Sequence, residues 1–172
     1  MFLDRDGVLN DIRLDAGVPK PPSSLADFRI VPGARETCLE LTARGFALVG
    51  VTNQPDVARG EQSREMVEAM NELLCSQLPL LGVRVCYHDD PDDCECRKPR
   101  PGLLLQAAHE LGLDLSRAFM VGDRWRDVEA GRQAGCRTIL LERDYSQRWR
   151  CQPDWIVSDI TGVPALVLGA AR

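Results

Sequence analysis

Two aspartates, Asp4 and Asp6, stand in the opening stretch FLDRDGVLN, directly after the first apolar residues. A carboxylate that attacks phosphorus needs a cation to neutralise charge, donors for the moving phosphoryl oxygens and an acid for the leaving group. Asp4 and Asp6 could supply the nucleophile and the acid, and Gly7 would let the backbone turn closely around a phosphate. Alone, such a DxD pair is more often a polar turn, so the rest of the chain has to decide.

Three further stretches carry the other groups that this chemistry needs. VTNQ provides the hydroxyl of Thr52, CRKP the ammonium of Lys98, and VGDRWRD the carboxylate of Asp123, which suits an oxygen-preferring cation such as Mg²⁺. Asp127 follows one helical turn later, where it could orient a ligand or a metal-bound water. Each stretch has an ordinary alternative: a strand end, a solvated lysine or a capped helix start. Their joint occurrence, in this order, favours a phosphoryl-transfer site.

The elements that must position these residues alternate along the chain. We predict strands at FLD, FALVGVT, VRVC, AFMVGD, RTILLE and DWIV, and helices over 33–44, 63–78, from 101 onward, over 125–134 and near the C-terminus. This alternation indicates βαβ units and a parallel sheet, in which ligands bind at the carboxyl ends of the strands. Asp4, Thr52 with Asn53, and Asp123 all fall at such ends.

The first predicted strand is unusually short. Only Met1, Phe2 and Leu3 precede Asp4, which is a shorter lead than a central strand usually has. We therefore expect either a longer native N-terminus or a frayed strand.

The composition is that of one globular domain, residues 1–172, with 44% apolar and 27% charged residues. A net charge of −5 argues against a nucleic-acid binder that neutralises phosphates over a broad surface. No apolar run approaches the ~18 residues of a membrane span, and no secretory signal opens the chain. We expect a cytoplasmic monomer without a membrane partner.

The seven cysteines are expected to be reduced thiols or metal ligands. The spacing C-x-H-x5-C-x-C offers three thiolates and an imidazole, which would close a tetrahedral, structural zinc site without an open position; its residues are Cys86, His88, Cys94 and Cys96. The alternative is a cysteine-rich loop with an exposed histidine. The acidic residues inside this stretch, at 89, 90, 92 and 93, are interpreted as a solvated loop face and not as calcium ligands.

The stretches FLDRDGVLN, VTNQ, CRKPRPG and VGDRWRD resemble motifs one to four of the haloacid-dehalogenase (HAD)-type phosphatases, over nearly the whole chain. The closest resemblance is to the small branch of heptose-bisphosphate 7-phosphatases and histidinol-phosphatase domains. It implies a Rossmann-like parallel sheet flanked by helices. It also implies Asp4 as the nucleophile that forms an aspartyl-phosphate, and Asp6 as general acid and then base. Mg²⁺ would be held by the side chains of Asp4 and Asp123 and by the backbone carbonyl of Asp6.

The same resemblance assigns the remaining site residues. Thr52 and Lys98 would steady the phosphoryl group, while Asn53, Arg97 and Arg124 would contact the substrate. In the related family the cysteine constellation is a zinc loop. Because Arg97 and Lys98 follow Cys96 directly, a fixed loop would aim both cations at the phosphate.

The short gaps between the motifs leave no room for the cap domain that larger relatives insert, so we predict a capless enzyme. The proline-rich stretch 14–28 is the expected substrate loop. Lys20 and Arg59 either meet a second phosphate or are solvated, and the sequence leaves this open. The three tryptophans, Trp125, Trp149 and Trp155, are expected to pack or to rim the site.

We therefore expect a magnesium-dependent phosphomonoesterase with a structural zinc loop that removes the 7-phosphate of a heptose 1,7-bisphosphate. The enzyme alternative is a histidinol-phosphate phosphatase or another small sugar-phosphate phosphatase. A phosphoaspartate signalling domain also uses acidic residues, a Thr and a Lys on a parallel sheet, but it would not need the second acid, Asp6. A zinc-stabilised binding module with an inactive site is disfavoured because no catalytic position is missing.

Overall fold

The computed structural model of the chain describes residues 1–147 and 150–170, so Trp149 lies outside the described residues. Eight strands occur in this part of the chain: β1 Phe2–Asp4, β2 Arg13–Asp15, β3 Val18–Lys20, β4 Val49–Asn53, β5 Val83–Cys86, β6 Phe119–Gly122, β7 Arg137–Leu141 and β8 Trp155–Val157. The α-helices are α1 Ala34–Ala43, α2 Pro55–Ala58, α3 Arg64–Gln77, α4 Gly102–Leu111, α5 Trp125–Gln133 and α6 Val163–Ala170.

Six of the strands form one parallel sheet in the order β5-β4-β1-β6-β7-β8. The chain builds this sheet outward in both directions from β1, because β4 lies on one side of β1 and β6 on the other. In open parallel sheets, a crevice opens beyond the carboxyl ends of the strands where the winding reverses. The ends of β1, β4 and β6 therefore mark the place for a ligand site, and Asp4, Thr52 and Asp123 lie there.

Helices cover both faces of the sheet, as the alternating pattern predicted. On one face, α1, α3 and α6 pack their apolar residues against Leu3 and Val121. On the other face, α4 and α5 pack against Phe2 and Val51. Successive residues of a strand point to opposite faces, so Phe2 and Leu3 belong to different halves of the core. Among the described residues, no helix has both the length and the apolar character needed to cross a bilayer.

The first strand is short, but the expectation that it frays is wrong. Phe2 pairs with Val49 of β4 and with Met120 of β6, so β1 is held on both edges, and Phe2 and Leu3 are completely buried. The amino group of Met1 also donates to the carbonyl of Ala47 at 2.6 Å. Pairing on both edges thus compensates for the shortness of β1, and Asp4 is the last residue of a well-held strand.

The helix ends follow the local sequence signals closely. The Ser63 hydroxyl accepts a hydrogen bond from the Met66 amide at 3.1 Å and caps α3. Gly45 follows α1 with a φ of +86°, a left-handed conformation that glycine adopts without strain. The predicted bounds therefore differ from the observed ones by a residue or two for α1, α3, α4 and α5, whereas the strand predicted at FALVGVT begins three residues later, at Val49.

The stretch 14–28 is not entirely the loop that its prolines predicted. It contributes to an antiparallel hairpin of β2 and β3, in which Leu14 pairs with Pro19. Ala16 and Gly17, between the strands, both have positive φ values, of 48° and 79°, which is the conformation of a two-residue hairpin turn. β2 and β3 thus form a small two-stranded sheet of their own, separate from the six-stranded sheet.

Two of the tryptophans can be located. Trp155 packs on Phe119 with ring centroids 6.1 Å apart, so it belongs to the core and not to the site. Trp125 opens α5, and the guanidinium of Arg150 lies 3.8 Å from the centroid of its ring.

Candidate active site

A cleft of about 310 Å³ opens at the carboxyl ends of the strands, and Lys98 and Asp4 meet at its floor. The Lys98 ammonium donates to Asp4 Oδ1 at 2.8 Å and to the Val51 carbonyl at 3.2 Å, and it pairs with Asp127 Oδ1 at 2.6 Å. Burial lowers the pKa of Lys98, but the carboxylates of Asp127 and Asp4 outweigh burial and hold this pKa above its ordinary value. Lys98 is therefore a permanent cation beside the Asp4 carboxylate.

The side chain of Asn53 fixes the backbone that carries Lys98. Its amide nitrogen donates to the Lys98 carbonyl at 2.9 Å, and its amide oxygen accepts from the Lys98 amide at 3.0 Å. Asn53 also lines the cleft, as expected of a substrate contact. Its amide group is nevertheless engaged in joining the end of β4 to the loop after β5, a role that the sequence pattern did not reveal.

The carboxylate of Asp6 accepts hydrogen bonds from several side chains. Arg5 Nη2 contacts both of its oxygens at 3.1 Å, Asn10 Nδ2 lies 3.0 Å away, Gln54 Nε2 2.7 Å and Thr52 Oγ1 3.2 Å. Burial alone would raise the pKa of Asp6, but the Arg5 guanidinium and the hydrogen bonds from Asn10, Arg5 and Gln54 hold it below its usual range. This arrangement favours the carboxylate form of Asp6, which is the form of a base, and Asp6 has to take up a proton before it can act as an acid.

Thr52 thus contacts Asp6, and a contact with a phosphoryl group remains a prediction. Four polar residues around Asp6 were not predicted from the sequence as site residues: Arg5, Asn10, Gln54 and Asn71. Asn71 on α3 accepts from Arg5 Nη1 at 2.9 Å, and Arg5 is fully buried. Gln54 could have been found, because it directly follows VTN at the end of β4. Asn71 could not, since nothing local connects α3 with the first strand.

Asp123 lies close to Asp4, and one of its two oxygens accepts no hydrogen bond from the described residues. The Tyr145 hydroxyl donates to Asp123 Oδ2 at 2.8 Å, whereas the buried Oδ1 has no hydrogen-bond partner among the described residues. Burial, and then the neighbouring Asp127, raise the pKa of Asp123 to about 7. Gly7 has a φ of +90°, and a Cβ there would lie 2.1 Å from Asp123 Oδ2, so only glycine fits between the two motifs.

These carboxylates form a group that fits a divalent cation. Oxygens of Asp4, Asp123 and Asp127 lie within 4.8 Å of one another, and all three residues are buried. Burial and the neighbouring Asp127 raise the pKa of Asp4 well above its usual value, although Lys98 opposes them. Asp127 already contacts Lys98 and the Arg124 amide. The unpartnered Oδ1 of Asp123, the excess of negative charge and the all-oxygen donor set suit Mg²⁺.

Cations surround the mouth of the cleft. The basic residues that line it above Lys98 are Lys20, Arg59, Arg97, Arg124 and Arg126. Lys20 belongs to the hairpin, and Val18–Pro21 reach the cleft, so part of the expected substrate stretch does border it. Residues 22–28 are not among its lining residues.

Asp89 and Asp90 are not simply a solvated loop face, because each pairs with an arginine. Arg59 binds Asp89 through two contacts of 2.7 Å, and Arg97 Nε donates to Asp90 Oδ1 at 2.7 Å. Arg59 is therefore a link between α2 and the cysteine loop as well as a cation at the cleft. Arg126, which also borders the cleft, was missed by the sequence analysis.

The Cys/His constellation comes together as its spacing predicted. The donor atoms of Cys86, His88, Cys94 and Cys96 all lie within 4.8 Å of one another. Five of the six separations between these atoms are 3.2–3.6 Å, with His88 contributing Nδ1. A tetrahedral zinc ion with ordinary bond lengths would place its ligands about 3.6–3.8 Å apart. The loop thus fits a metal ion, and Arg97 and Lys98 leave it toward the cleft.

Comparison with known proteins agrees with this geometry. Residues 95–163, which include Lys98 and Asp123, match the HAD-hydrolase-like family. D-glycero-beta-D-manno-heptose-1,7-bisphosphate 7-phosphatase from Yersinia pestis is 35% identical, over 97% of this chain and 94% of that protein. The enzyme of the same name from Photorhabdus laumondii is 38% identical, over 83% of this chain and 79% of that protein.

A solved structure matches as well. The D,D-heptose 1,7-bisphosphate phosphatase from B. bronchiseptica, complexed with magnesium and phosphate, superposes with a TM-score of 0.84 at 29% identity, over 99% of this chain and 98% of that chain. The chain therefore belongs to the HAD superfamily of phosphatases, in the branch that contains the D-glycero-D-manno-heptose 1,7-bisphosphate 7-phosphatases.

Proposed function

We propose that this protein is a magnesium-dependent phosphomonoesterase that removes the 7-phosphate of D-glycero-D-manno-heptose 1,7-bisphosphate. The observation that carries the proposal is the contact of 2.8 Å between Lys98 Nζ and Asp4 Oδ1 on a buried floor, close to the Asp123 carboxylate, whose Oδ1 has no hydrogen-bond partner among the described residues. That arrangement supplies a nucleophile, a cation for the transferring group and a metal ligand at one point. The named activity of the relatives supports the reaction type.

The reaction proceeds in two displacements on Asp4. In the first, an Asp4 oxygen would form a bond to phosphorus while the bond from phosphorus to the sugar oxygen breaks, and Asp6, which enters this step in its protonated form, would give that proton to the leaving oxygen. In the second, Asp6 takes a proton from water, and the water oxygen attacks the aspartyl-phosphate, which releases inorganic phosphate and frees Asp4. Lys98 would neutralise a phosphoryl oxygen, and the hydroxyl of Thr52, which contacts Asp6 in the structure, would help to steady the phosphoryl group.

Mg²⁺ would be held by the side chains of Asp4 and Asp123 and by the backbone carbonyl of Asp6. When bound, it neutralises the negative charge that Asp4 and the phosphoryl group bring together. Asp127 supports the site through Lys98 and the Arg124 amide. Gly7 keeps the backbone turn free of a side chain where the phosphate enters.

The cysteine loop holds Zn²⁺ in a structural role. Its four donors, Cys86, His88, Cys94 and Cys96, complete a tetrahedral set, so no position remains for a substrate or a water. When bound, the ion would fix the loop between β5 and Lys98. It would affect catalysis only through the placement of Arg97 and Lys98.

The ring of cations favours a substrate with two phosphates. Asn53, Arg97 and Arg124 line the cleft and would contact the sugar phosphate, and Lys20 and Arg126 add positive charge at its mouth. Histidinol phosphate, the second candidate, carries an ammonium group that these cations would repel. We place this activity in a cytoplasmic monomer that consists of one capless domain, residues 1–172, and that binds neither nucleic acid nor membrane.

The test is a comparison of kcat/KM values with Mg²⁺ present. Heptose 1,7-bisphosphate is expected to exceed both heptose 7-phosphate and histidinol phosphate by about tenfold or more, because one added ion pair or charged hydrogen bond contributes roughly 1.5–3 kcal/mol. A higher kcat/KM for histidinol phosphate would assign the other substrate. Absence of phosphate release from every phosphomonoester would contradict the reaction type itself.

A further inference from the structure

Tyr145 contacts the metal-ligand candidate Asp123 from a part of the chain that none of the four motifs includes. Its hydroxyl donates to Asp123 Oδ2 at 2.8 Å, while Oδ1 of the same carboxylate stays buried without a partner among the described residues. Asp123 is 0% exposed. One oxygen of this carboxylate is therefore engaged by the protein, and the other is available to a ligand.

The turn that carries Tyr145 is built to hold it in place. Ser146 is 1% exposed, its amide donates to the Arg143 carbonyl at 3.0 Å, and its hydroxyl accepts from the Arg143 amide at 2.8 Å. The Trp125 amide donates to the Ser146 carbonyl at 3.1 Å. This last bond ties the turn to the start of α5, two residues after Asp123, so both partners of the Tyr145–Asp123 contact are fixed to one element.

The Tyr145 hydroxyl also packs against the turn of the first motif. It lies 3.2 Å from the position that a Cβ on Gly7 would occupy. On the other side, the Arg124 guanidinium lies 5.8 Å from the centroid of the phenol ring. Tyr145 thus fills the corner behind the Asp123 carboxylate, between the glycine turn and α5.

We propose that Tyr145 is a positioning residue for the magnesium site: its hydroxyl fixes the rotation of the Asp123 carboxylate so that Oδ1 is the oxygen presented to Mg²⁺. The inference rests on the proposed function. A phenol is protonated at neutral pH and can donate this bond. Without the donor, Oδ2 loses its partner and the carboxylate is free to rotate about its terminal torsion, which has broad energy wells. Groups that orient metal ligands typically contribute 10–100-fold to metal affinity or activity.

The test compares Mg²⁺ binding by the purified wild-type protein and by Tyr145→Phe, which removes one oxygen and keeps the ring. We expect Kd for Mg²⁺, measured by isothermal titration calorimetry, to rise about tenfold in Tyr145→Phe. We also expect the half-saturating Mg²⁺ concentration for phosphatase turnover to rise by a similar factor, with a smaller effect on kcat at saturating Mg²⁺. Titrations are run well below the unfolding transition of the Mg²⁺-free variant, so a loss of stability does not obscure the ratio of Kd values.

Tyr87→Phe is the matched control, because Tyr87 is the other tyrosine of the chain. Its hydroxyl lies 3.5 Å from Glu68 on α3, and Tyr87 does not line the cleft, so the same substitution there should leave Kd for Mg²⁺ unchanged. Equal Kd values for wild type and Tyr145→Phe would overturn the inference while leaving the proposed function intact. A wild-type protein that neither binds Mg²⁺ nor releases phosphate would overturn the proposed function, and the inference with it.

Discussion

The carboxylate of Asp6 is held by residues from two separate parts of the chain, the first motif and the end of β4. Arg5 is its neighbour, Asn10 follows in the same motif, and Gln54 comes from the end of β4. Arg5 is in turn fixed by Asn71 on α3. An acid–base group that serves two successive steps benefits from such rigidity. It gives a proton to the leaving oxygen and then takes one from water, and both transfers occur at nearly the same point.

Gly7 gives the sharpest prediction at the residue scale. In Gly7→Ala, the new Cβ would lie 2.1 Å from Asp123 Oδ2, so the carboxylate must move. We expect kcat/KM to fall by about 100-fold or more, because misplacing a catalytic group by about 1 Å has an effect of that size. Phosphate release by the folded variant, with folding checked by circular dichroism, measures the effect.

Gly45→Ala is the control for backbone strain in this experiment. Gly45 has a φ of +86°, close to the +90° of Gly7, but a Cβ there meets nothing within 4 Å. Gly45→Ala should lose about 1–2 kcal/mol of stability in urea unfolding, because it forces alanine into the left-handed region, and Gly7→Ala should lose at least as much, because its Cβ also meets Asp123. Only Gly7→Ala should lose activity. Wild-type kcat/KM in Gly7→Ala would contradict the close packing of Gly7 and Asp123.

At the scale of elements, the cysteine loop links three parts of the site. It begins at Cys86, the last residue of β5, and it ends at Cys96, two residues before Lys98. The bidentate pair of Arg59 with Asp89 joins it to α2, and Arg97 is held inside it by Asp90. A change in the loop should therefore be transmitted to the cations of the cleft.

Removal of zinc should lower stability and activity together. In Cys94→Ser, or after strong chelation, we expect loss of bound zinc by elemental analysis, a lower unfolding temperature and a lower phosphatase rate, because the loop folds around its ion. Cys75→Ser serves as the control. Cys75 lies on α3, outside the Cys/His group, so this variant should retain the zinc bound by the loop. Normal activity in fully zinc-free, folded protein would show that the loop does not position Lys98.

At the scale of the whole molecule, the parallel sheet, its helices and the convergence of the four motifs were predictable from the sequence. Apolar periodicity and turn residues are local signals that predict the strands and helices. The position of the site then follows from the rule that ligands bind at the carboxyl ends of parallel strands. The hairpin of β2 and β3 was missed because Pro19 and Pro21 obscured its strand pattern. The contacts of Arg5 with Asn71 and of Tyr145 with Asp123 join residues 66 and 22 positions apart, and no local pattern encodes them.

The central claim is that Asp4 is the nucleophile of a magnesium-dependent phosphatase. The most direct measurement is phosphate release from heptose 1,7-bisphosphate with Mg²⁺ by wild type, Asp4→Asn and, as the control, Asp11→Asn, which changes an exposed aspartate of the same segment. Asparagine keeps the shape of aspartate but cannot form the aspartyl-phosphate, so we expect turnover to be abolished in Asp4→Asn and retained in Asp11→Asn. Turnover that survives in folded Asp4→Asn would contradict the assignment.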